Sequence, residues 1–213
     1  MKTALIAGST GLVGQSLLQT LLESKHYNKV ITLVRRPLAI NNPKLISHSI
    51  NFDAIHELNI EEVDDVFCCL GTTIKTAGSQ DAFTKVDYTY VVELARWAQK
   101  NKCRQFSVVS SVGASNKTSN FYLQTKGNME VSIAQLSIPS IHIFRPSLLL
   151  GQRNEFRFGE KVSEKLMTVF NPLMKGRLRK YRAIKASDVA QAMFNQAQND
   201  FKGVILFEGA EIK

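Results

Sequence analysis

A short apolar run that passes straight into three evenly spaced glycines, and from them into a helix, leaves a chain few folds to choose from. Thr3 to Ala7 form an apolar run without alternation, the pattern of a strand buried on both faces. Gly8-Ser9-Thr10-Gly11-Leu12-Val13-Gly14 follows. Val13, Leu17 and Leu21 then recur four residues apart, on one helical face. At such a junction Gly8 allows a tight turn, Gly11 lets a phosphate approach the backbone, and Gly14 lets the helix pack closely on the sheet. The helix N-terminus offers free N–H groups and a partial positive charge to a pyrophosphate. The spacing is GxxGxxG, not the commoner GxGxxG.

Further apolar runs alternate with helical patterns along the whole chain. Strands are predicted over 29–34, 45–50, 66–70, 105–109, 140–144 and 203–207. Helices are predicted over 54–65, 87–100, 121–136 and 159–170, with one more starting at Ser187-Asp188. Residues 74–85 read as a loop with a helical turn. There is no internal repeat and no low-complexity linker. Strict alternation of this kind predicts the α/β class: a doubly wound, mostly parallel Rossmann sheet of about seven strands. With 213 residues, 44% hydrophobic and 21% charged, the chain reads as one domain with a substantial core. The cluster Glu61, Glu62, Asp64 and Asp65 reads as a solvated face.

No apolar run reaches the length needed to cross a bilayer. The Met-Lys start leads into glycines and a helix, not a cleavage site, so the sequence predicts a cytoplasmic protein. Cys68, Cys69 and Cys103 show no CxxC spacing, and His26, His48, His56 and His142 show no ligand spacing. A disulfide framework and a metal site are therefore not expected.

The chemistry-bearing residues lie at strand ends. The second strand ends in Arg35-Arg36-Pro37, where an acidic residue would favour NAD and arginine favours the phosphate of NADP. The fourth ends in Gly71-Thr72-Thr73 and the fifth in Ser110-Ser111. Tyr122 and Lys126, four apart, share one helical face. An ammonium near a phenol favours the phenolate and draws the tyrosine pKa down, so the tyrosine can exchange a proton with an alcohol or carbonyl oxygen. Ser111 can donate a hydrogen bond to that same oxygen. YxxxK alone occurs by chance in amphipathic helices; its weight comes from its place in series with the glycine motif and the serine strand end.

Taken together, Gly8-Ser-Thr-Gly-Leu-Val-Gly14, Val34-Arg-Arg-Pro37, Cys69-Leu-Gly-Thr-Thr73, Ser110-Ser-Val-Gly-Ala114, Tyr122-Leu-Gln-Thr-Lys126, Phe144-Arg-Pro146 and Ala186-Ser-Asp-Val-Ala190 resemble the short-chain dehydrogenase/reductases. Within that family the chain is similar to the atypical branch of Tat-interacting-protein-like and NmrA-like NADP-binding proteins. The resemblance implies that Gly8, Ser9, Thr10, Gly11, Leu12 and Val13 surround the pyrophosphate and that Arg35 and Arg36 hold the ribose phosphate of NADP. It sets Asp53 beside the adenine and Leu70, Gly71 and Thr72 under the adenosine side. Tyr122 would be the acid/base, Lys126 would also bind the nicotinamide ribose, and Arg145, Pro146 and Leu148 would border the carboxamide. Ser111 is the catalytic serine of choice, with Ser110 one step away. NADP (NADPH) is the expected cofactor, ahead of NAD. Two departures stand out. Asp87 occupies the position where many members carry an asparagine of a proton relay. The chain also lacks a long C-terminal substrate domain, so segments near 74–82 and 147–182 must form the pocket.

The formal charge of +9 suits anionic ligands. Lys175 to Lys185 concentrates six positive side chains, which read as a solvated face or subunit contact, as a pocket for an anionic substrate, or as a patch for an acidic partner. No nucleic-acid-binding motif accompanies it. The partners expected are a small-molecule substrate and, at the surface, a protein partner or a second copy forming a homodimer; no membrane is expected. The leading expectation is an oxidoreductase moving hydride to or from a small carbonyl or alcohol substrate. The alternatives are an NADP-binding sensor without turnover and a non-redox epimerase or lyase on the same fold.

Overall fold

The computed structural model describes residues 1–151, 181–209 and 212. Its strands are β1 (Lys2–Ala7), β2 (Tyr27–Val34), β3 (Leu45–Ser49), β4 (Asp65–Cys68), β5 (Gln105–Val109), β6 (Ser140–Arg145), β7 (Leu149–Leu150), β8 (Ile184–Lys185) and β9 (Gly203–Glu208). Its α-helices are α1 (Leu12–Glu23), α2 (Ile74–Ala77), α3 (Gln80–Thr84), α4 (Tyr90–Lys100), α5 (Phe121–Ala134) and α6 (Ala186–Gln196). Seven strands form one sheet in the order β3-β2-β1-β4-β5-β6-β9, and every pair is parallel. This is the single-domain Rossmann-like architecture that the alternation predicts.

The period of two divides the core into layers. Leu5, Ala7, Ile31, Leu33, Val66 and Phe106 join Val92, Ala95, Met129 and Ile133 of α4 and α5. Ala4, Ile6, Val30, Phe67 and Phe144 join Val13, Leu17, Leu21, Val189 and Met193 of α1 and α6. Strands sandwiched in this way read as unbroken apolar runs, which is why they were legible. The strand order reverses between β1 and β4, and that opens a crevice beyond their carboxyl ends.

Several local features differ from the sequence expectations. In place of a helix over 54–65 there is a 3₁₀ stretch (Phe52–Glu57) and then irregular chain up to β4. The Asn51 side chain accepts from the Asp53 N–H, Ala54 lies outside helical φ/ψ, and Glu62 has φ 58°. Ile60 and Val63 mimic helical periodicity but are buried as single anchors. Asp65 is not part of a solvated face: it opens β4 fully buried, held by the Tyr27 hydroxyl at 2.6 Å and Arg104 at 2.7 Å. The segment after β4 holds two short helices capped by Thr73 and Ser79, then a π-helical turn (Lys85–Thr89) that runs into α4. Helix α6 starts at Ala186, without a side-chain cap from Ser187 or Asp188. The parallel pair β7–β8 had no sequence signal. The helix expected over 159–170 and most of the basic stretch lie outside the described residues.

Candidate functional site

The glycine turn is built by steric necessity at two of its three positions. Gly8 has φ +81°, and a Cβ there would lie 2.4 Å from the Cys69 carbonyl oxygen, so the ends of β1 and β4 touch backbone to backbone. A Cβ on Gly14 would lie 2.1 Å from the Gly8 carbonyl oxygen, which seats α1 against the turn. Gly11 differs: it is exposed, and among the described residues its Cβ would meet only the Gly8 oxygen, at 3.4 Å. Among the described residues no side chain caps the N-terminus of α1. Uncapped N–H groups behind an open glycine suit a pyrophosphate. Ser9 offers that space only its backbone, because its hydroxyl is buried against Thr32 Oγ1 at 2.5 Å. Thr10 is exposed, Val13 is buried in the core, and Leu12 is half-buried.

Arg35 and Arg36 stand exposed beyond β2, with no hydrogen bond or ion pair to any described residue. Asp53, beyond β3, is ion-paired with Lys85 at 2.7 Å and accepts from the Tyr90 hydroxyl at 2.8 Å. Those hydrogen bonds, Lys85 first, hold its carboxyl below the usual range. Leu70 and Thr72 are half-buried and Gly71 is exposed at the end of β4.

Under Gly71 lies the most unusual feature of the site. Lys126 and Asp87 are 3% and 1% exposed, and their charged atoms stand 2.8 Å apart. A Cβ on Gly71 would lie 3.4 Å from Asp87 Oδ1 and 3.8 Å from Lys126 Nζ. The other carboxylate oxygen, Asp87 Oδ2, accepts the Thr72 N–H at 2.8 Å. Burial alone would lower the Lys126 pKa; Asp87 and Tyr122 outweigh it and hold the pKa above its ordinary value, so the ammonium stays protonated. Tyr122, one turn earlier on α5, is half-buried with its ring against Phe83, centroids 5.4 Å apart. No hydrogen bond engages its hydroxyl among the described residues.

The two serines at the end of β5 part company. The buried Ser110 hydroxyl donates to Glu130 on α5, whose carboxylate also takes Arg145 Nε at 2.9 Å. Ser111 is half-buried, and among the described residues its hydroxyl makes only a long contact, 3.4 Å, to the Val112 carbonyl. Its hydroxyl has more freedom to meet a ligand. Arg145 is committed to Glu130 and, at 3.5 Å, to Glu208, so its side chain braces α5 and β9. Pro146 is buried and its carbonyl accepts the Val112 N–H at 2.9 Å; Leu148 is exposed. Sequence reasoning missed Glu130, Gly127 and Phe83. The inner face of α5 mixes Lys126, Gly127 and Glu130 with Met129 and Ile133, and a charge at a core-facing position was the available signal.

A model of NAD(P)H-binding proteins matches residues 8–200, from the glycine turn to the end of α6 and beyond. The chain belongs to the NAD(P)H-binding family. Protein HTATIP2 of Rattus norvegicus is 34% identical over 171 residues, 77% of this chain and 69% of that protein. The protein "FMP52, mitochondrial" of Lodderomyces elongisporus is 32% identical, covering 98% of this chain and 94% of its own length. These relatives bear out the resemblance to the Tat-interacting-protein branch. MoeE5 in complex with UDP-glucose and NAD matches with a TM-score of 0.72 at 15% identity, over 99% of this chain and 79% of that one. The human epimerase family protein SDR39U1 with NADPH matches at 0.66 and 16%, over 97% and 73%. At those identities the likeness is one of fold. The expectation of a cytoplasmic protein is overturned by relatives from several yeasts that are named mitochondrial. No helix among the described residues is long and apolar enough to cross a membrane.

Proposed function

We propose that this NAD(P)H-binding protein is an NADP-dependent oxidoreductase that reduces a small carbonyl compound, or oxidises the matching alcohol, with Tyr122 as acid/base. The observation that carries the reading is the buried ammonium of Lys126 beneath Gly71, one helical turn from a tyrosine hydroxyl with no partner among the described residues. Bound at the glycine turn, NADPH supplies the hydride. Tyr122 gives its proton to the substrate oxygen as that oxygen gains negative charge, and Ser111 donates a hydrogen bond to the same atom. Lys126 keeps a positive charge beside the phenol throughout. Arg35 and Arg36 answer the ribose phosphate, since two guanidiniums at the end of β2 with no partner among the described residues gain charge-assisted hydrogen bonds there that NAD cannot offer.

Titration of the purified protein with NADPH and NADH, followed by nucleotide fluorescence, tests the base of this reading. NADPH binds at least tenfold tighter than NADH, and Arg35→Ala or Arg36→Ala removes most of that margin. A screen of carbonyl compounds then finds turnover that Tyr122→Phe abolishes while NADPH still binds. Failure to bind either nucleotide overturns the reading.

A further inference from the structure

We infer that β9 is a dimerisation edge, where a second copy of this chain pairs with it antiparallel and joins the two sheets into one. Among the described residues β9 ends the sheet, with β6 as its single strand neighbour. Natural sheets blunt such an edge with charges or proline, because an open row of N–H and C=O groups invites another strand. From Gly203 to Phe207, β9 carries neither. Val204 and Leu206 are instead 49% and 43% exposed. They stand in register with the buried Ile141 and Ile143 of β6, so they extend the apolar layer shared with α4 and α5 out to the open edge. The strand at the other edge, β3, ends in Ser47, His48 and Ser49 and offers no such strip.

The backbone fixes which residues can pair. The Gly203 N–H donates to the Pro139 carbonyl at 2.8 Å, on the β6 side. Alternation along the strand then turns the N–H and C=O of Val204, Leu206 and Glu208 toward the open edge. A two-fold antiparallel ladder must join outward groups to outward groups, so its axis passes through a residue of the strand. With the axis at Ile205, Val204 exchanges two hydrogen bonds with Leu206 of the second copy, and their exposed side chains meet on one face. The same register carries the exposed Lys202 to Glu208 of the second copy, once at each end of the joint. Opposite charges facing across strands stabilise a pair. A carboxylate accepts from several donors, so the contact of Glu208 with Arg145 at 3.5 Å persists beside the lysine. Moving the axis to Val204 sets Glu208 against Asp200, two carboxylates; moving it to Leu206 sets Glu208 against Val204. The strand is therefore complementary to itself in hydrogen bonds, apolar surface and charge in one register, and its occupant is a second copy.

Sedimentation velocity of the full chain, from about 1 to about 100 μM, reads the mass directly. The native protein is a dimer at the upper end; a monomer throughout overturns the proposal. Lys202→Glu places like charges at both ends of the joint and weakens the dimer by about tenfold or more. Leu206→Pro removes an N–H that serves only the open edge, so each sheet keeps its own ladder while the dimer is lost. A native dimer that both variants leave intact lies on another face and overturns the proposal. Should Leu206→Pro fail to fold, a cross-link decides the register. Two Ile205 Cα atoms facing each other across the axis stand about 4.5 Å apart, within the span of a disulfide. Under oxidising conditions Ile205→Cys forms a covalent dimer, and Val204→Cys, whose counterpart is two residues away along the ladder, does not. Cross-linking of both alike, or of neither, overturns the pairing. None of these readouts involves nucleotide or turnover, so the oxidoreductase reading stands or falls separately.

Discussion

Three glycines at equal spacing look alike as letters and do different work as atoms. A Cβ on Gly8 would strike the Cys69 carbonyl at 2.4 Å from a backbone already at φ +81°, whereas on Gly11 it would meet one oxygen at 3.4 Å. Gly8→Ala therefore combines a positive-φ penalty with a backbone clash, and it costs about 3 kcal/mol of unfolding free energy, readable in urea titration. Gly11→Ala leaves stability nearly unchanged; if the glycine turn receives the pyrophosphate as proposed, the added methyl lowers nucleotide affinity by about tenfold. The pair separates packing from binding at the same turn. Equal stability losses in both variants, or unchanged affinity in Gly11→Ala, would contradict this division of roles.

At the level of elements, what could be read from the sequence was what a regular period encodes. The sandwiched strands and α1, α4, α5 and α6 announce themselves because burial on a fixed face repeats every two residues or every three to four. The irregular pieces did not. Residues 54–65 carry helical spacing, but an Asx turn at Asn51 and the positive φ of Glu62 break it locally. For the candidate site, the glycine turn and the Tyr122–Lys126 face lie on such regular elements, and the strand ends followed from topology. The ion pair of Asp87 and the Ser110–Glu130–Arg145 cluster join residues distant in sequence, and no local pattern encodes them. Helix α5 also depends on a contact invisible in its own periodicity. A Cβ on Gly127 would lie 2.2 Å from the backbone carbon of Ser115, so the helix that carries Tyr122 and Lys126 rests directly on the loop after β5. Gly127→Ala pushes the two apart and destabilises the protein by about 1–3 kcal/mol, measured as a lowered urea midpoint. An unchanged midpoint would mean that the loop yields freely and that α5 is set by its other contacts.

Across the whole molecule, the two edges of the sheet are specialised differently. The carboxyl edge holds the candidate site. Toward the opposite edge, Asp65 binds the Tyr27 hydroxyl and Arg104, and Lys2 and Arg104 donate to the Ala197 carbonyl just beyond α6, so that β1, β2, β4, β5 and α6 are pinned together. Beside that cluster, His142 is fully buried in β6, with Nε2 2.9 Å from Ser140 Oγ and its ring edge-on to Phe207. Burial, and secondarily the charge of Arg104, push its pKa down to about 4 from 6.5. The imidazole is thus neutral in the folded state over a range in which the unfolded chain binds a proton. Between those two values the unfolded state carries more protons, so stability rises with pH, and it is lost as pH falls from 6.5 toward 4. The full difference is about 3 kcal/mol for this one group. Carboxylates contribute their own slopes below pH 5, so the measurement must be differential: urea unfolding of native protein and His142→Gln at intervals from pH 7 to pH 4. The native curve falls more steeply, and the gap between the two narrows or reverses by about 3 kcal/mol across the interval, most of it above pH 5, where few carboxylates titrate. Parallel curves would mean that the pocket opens to solvent readily enough to protonate His142 without unfolding, and the polar stripe of Gln105, Ser107, His142 and Ser140 would then be a hydrated seam in the core.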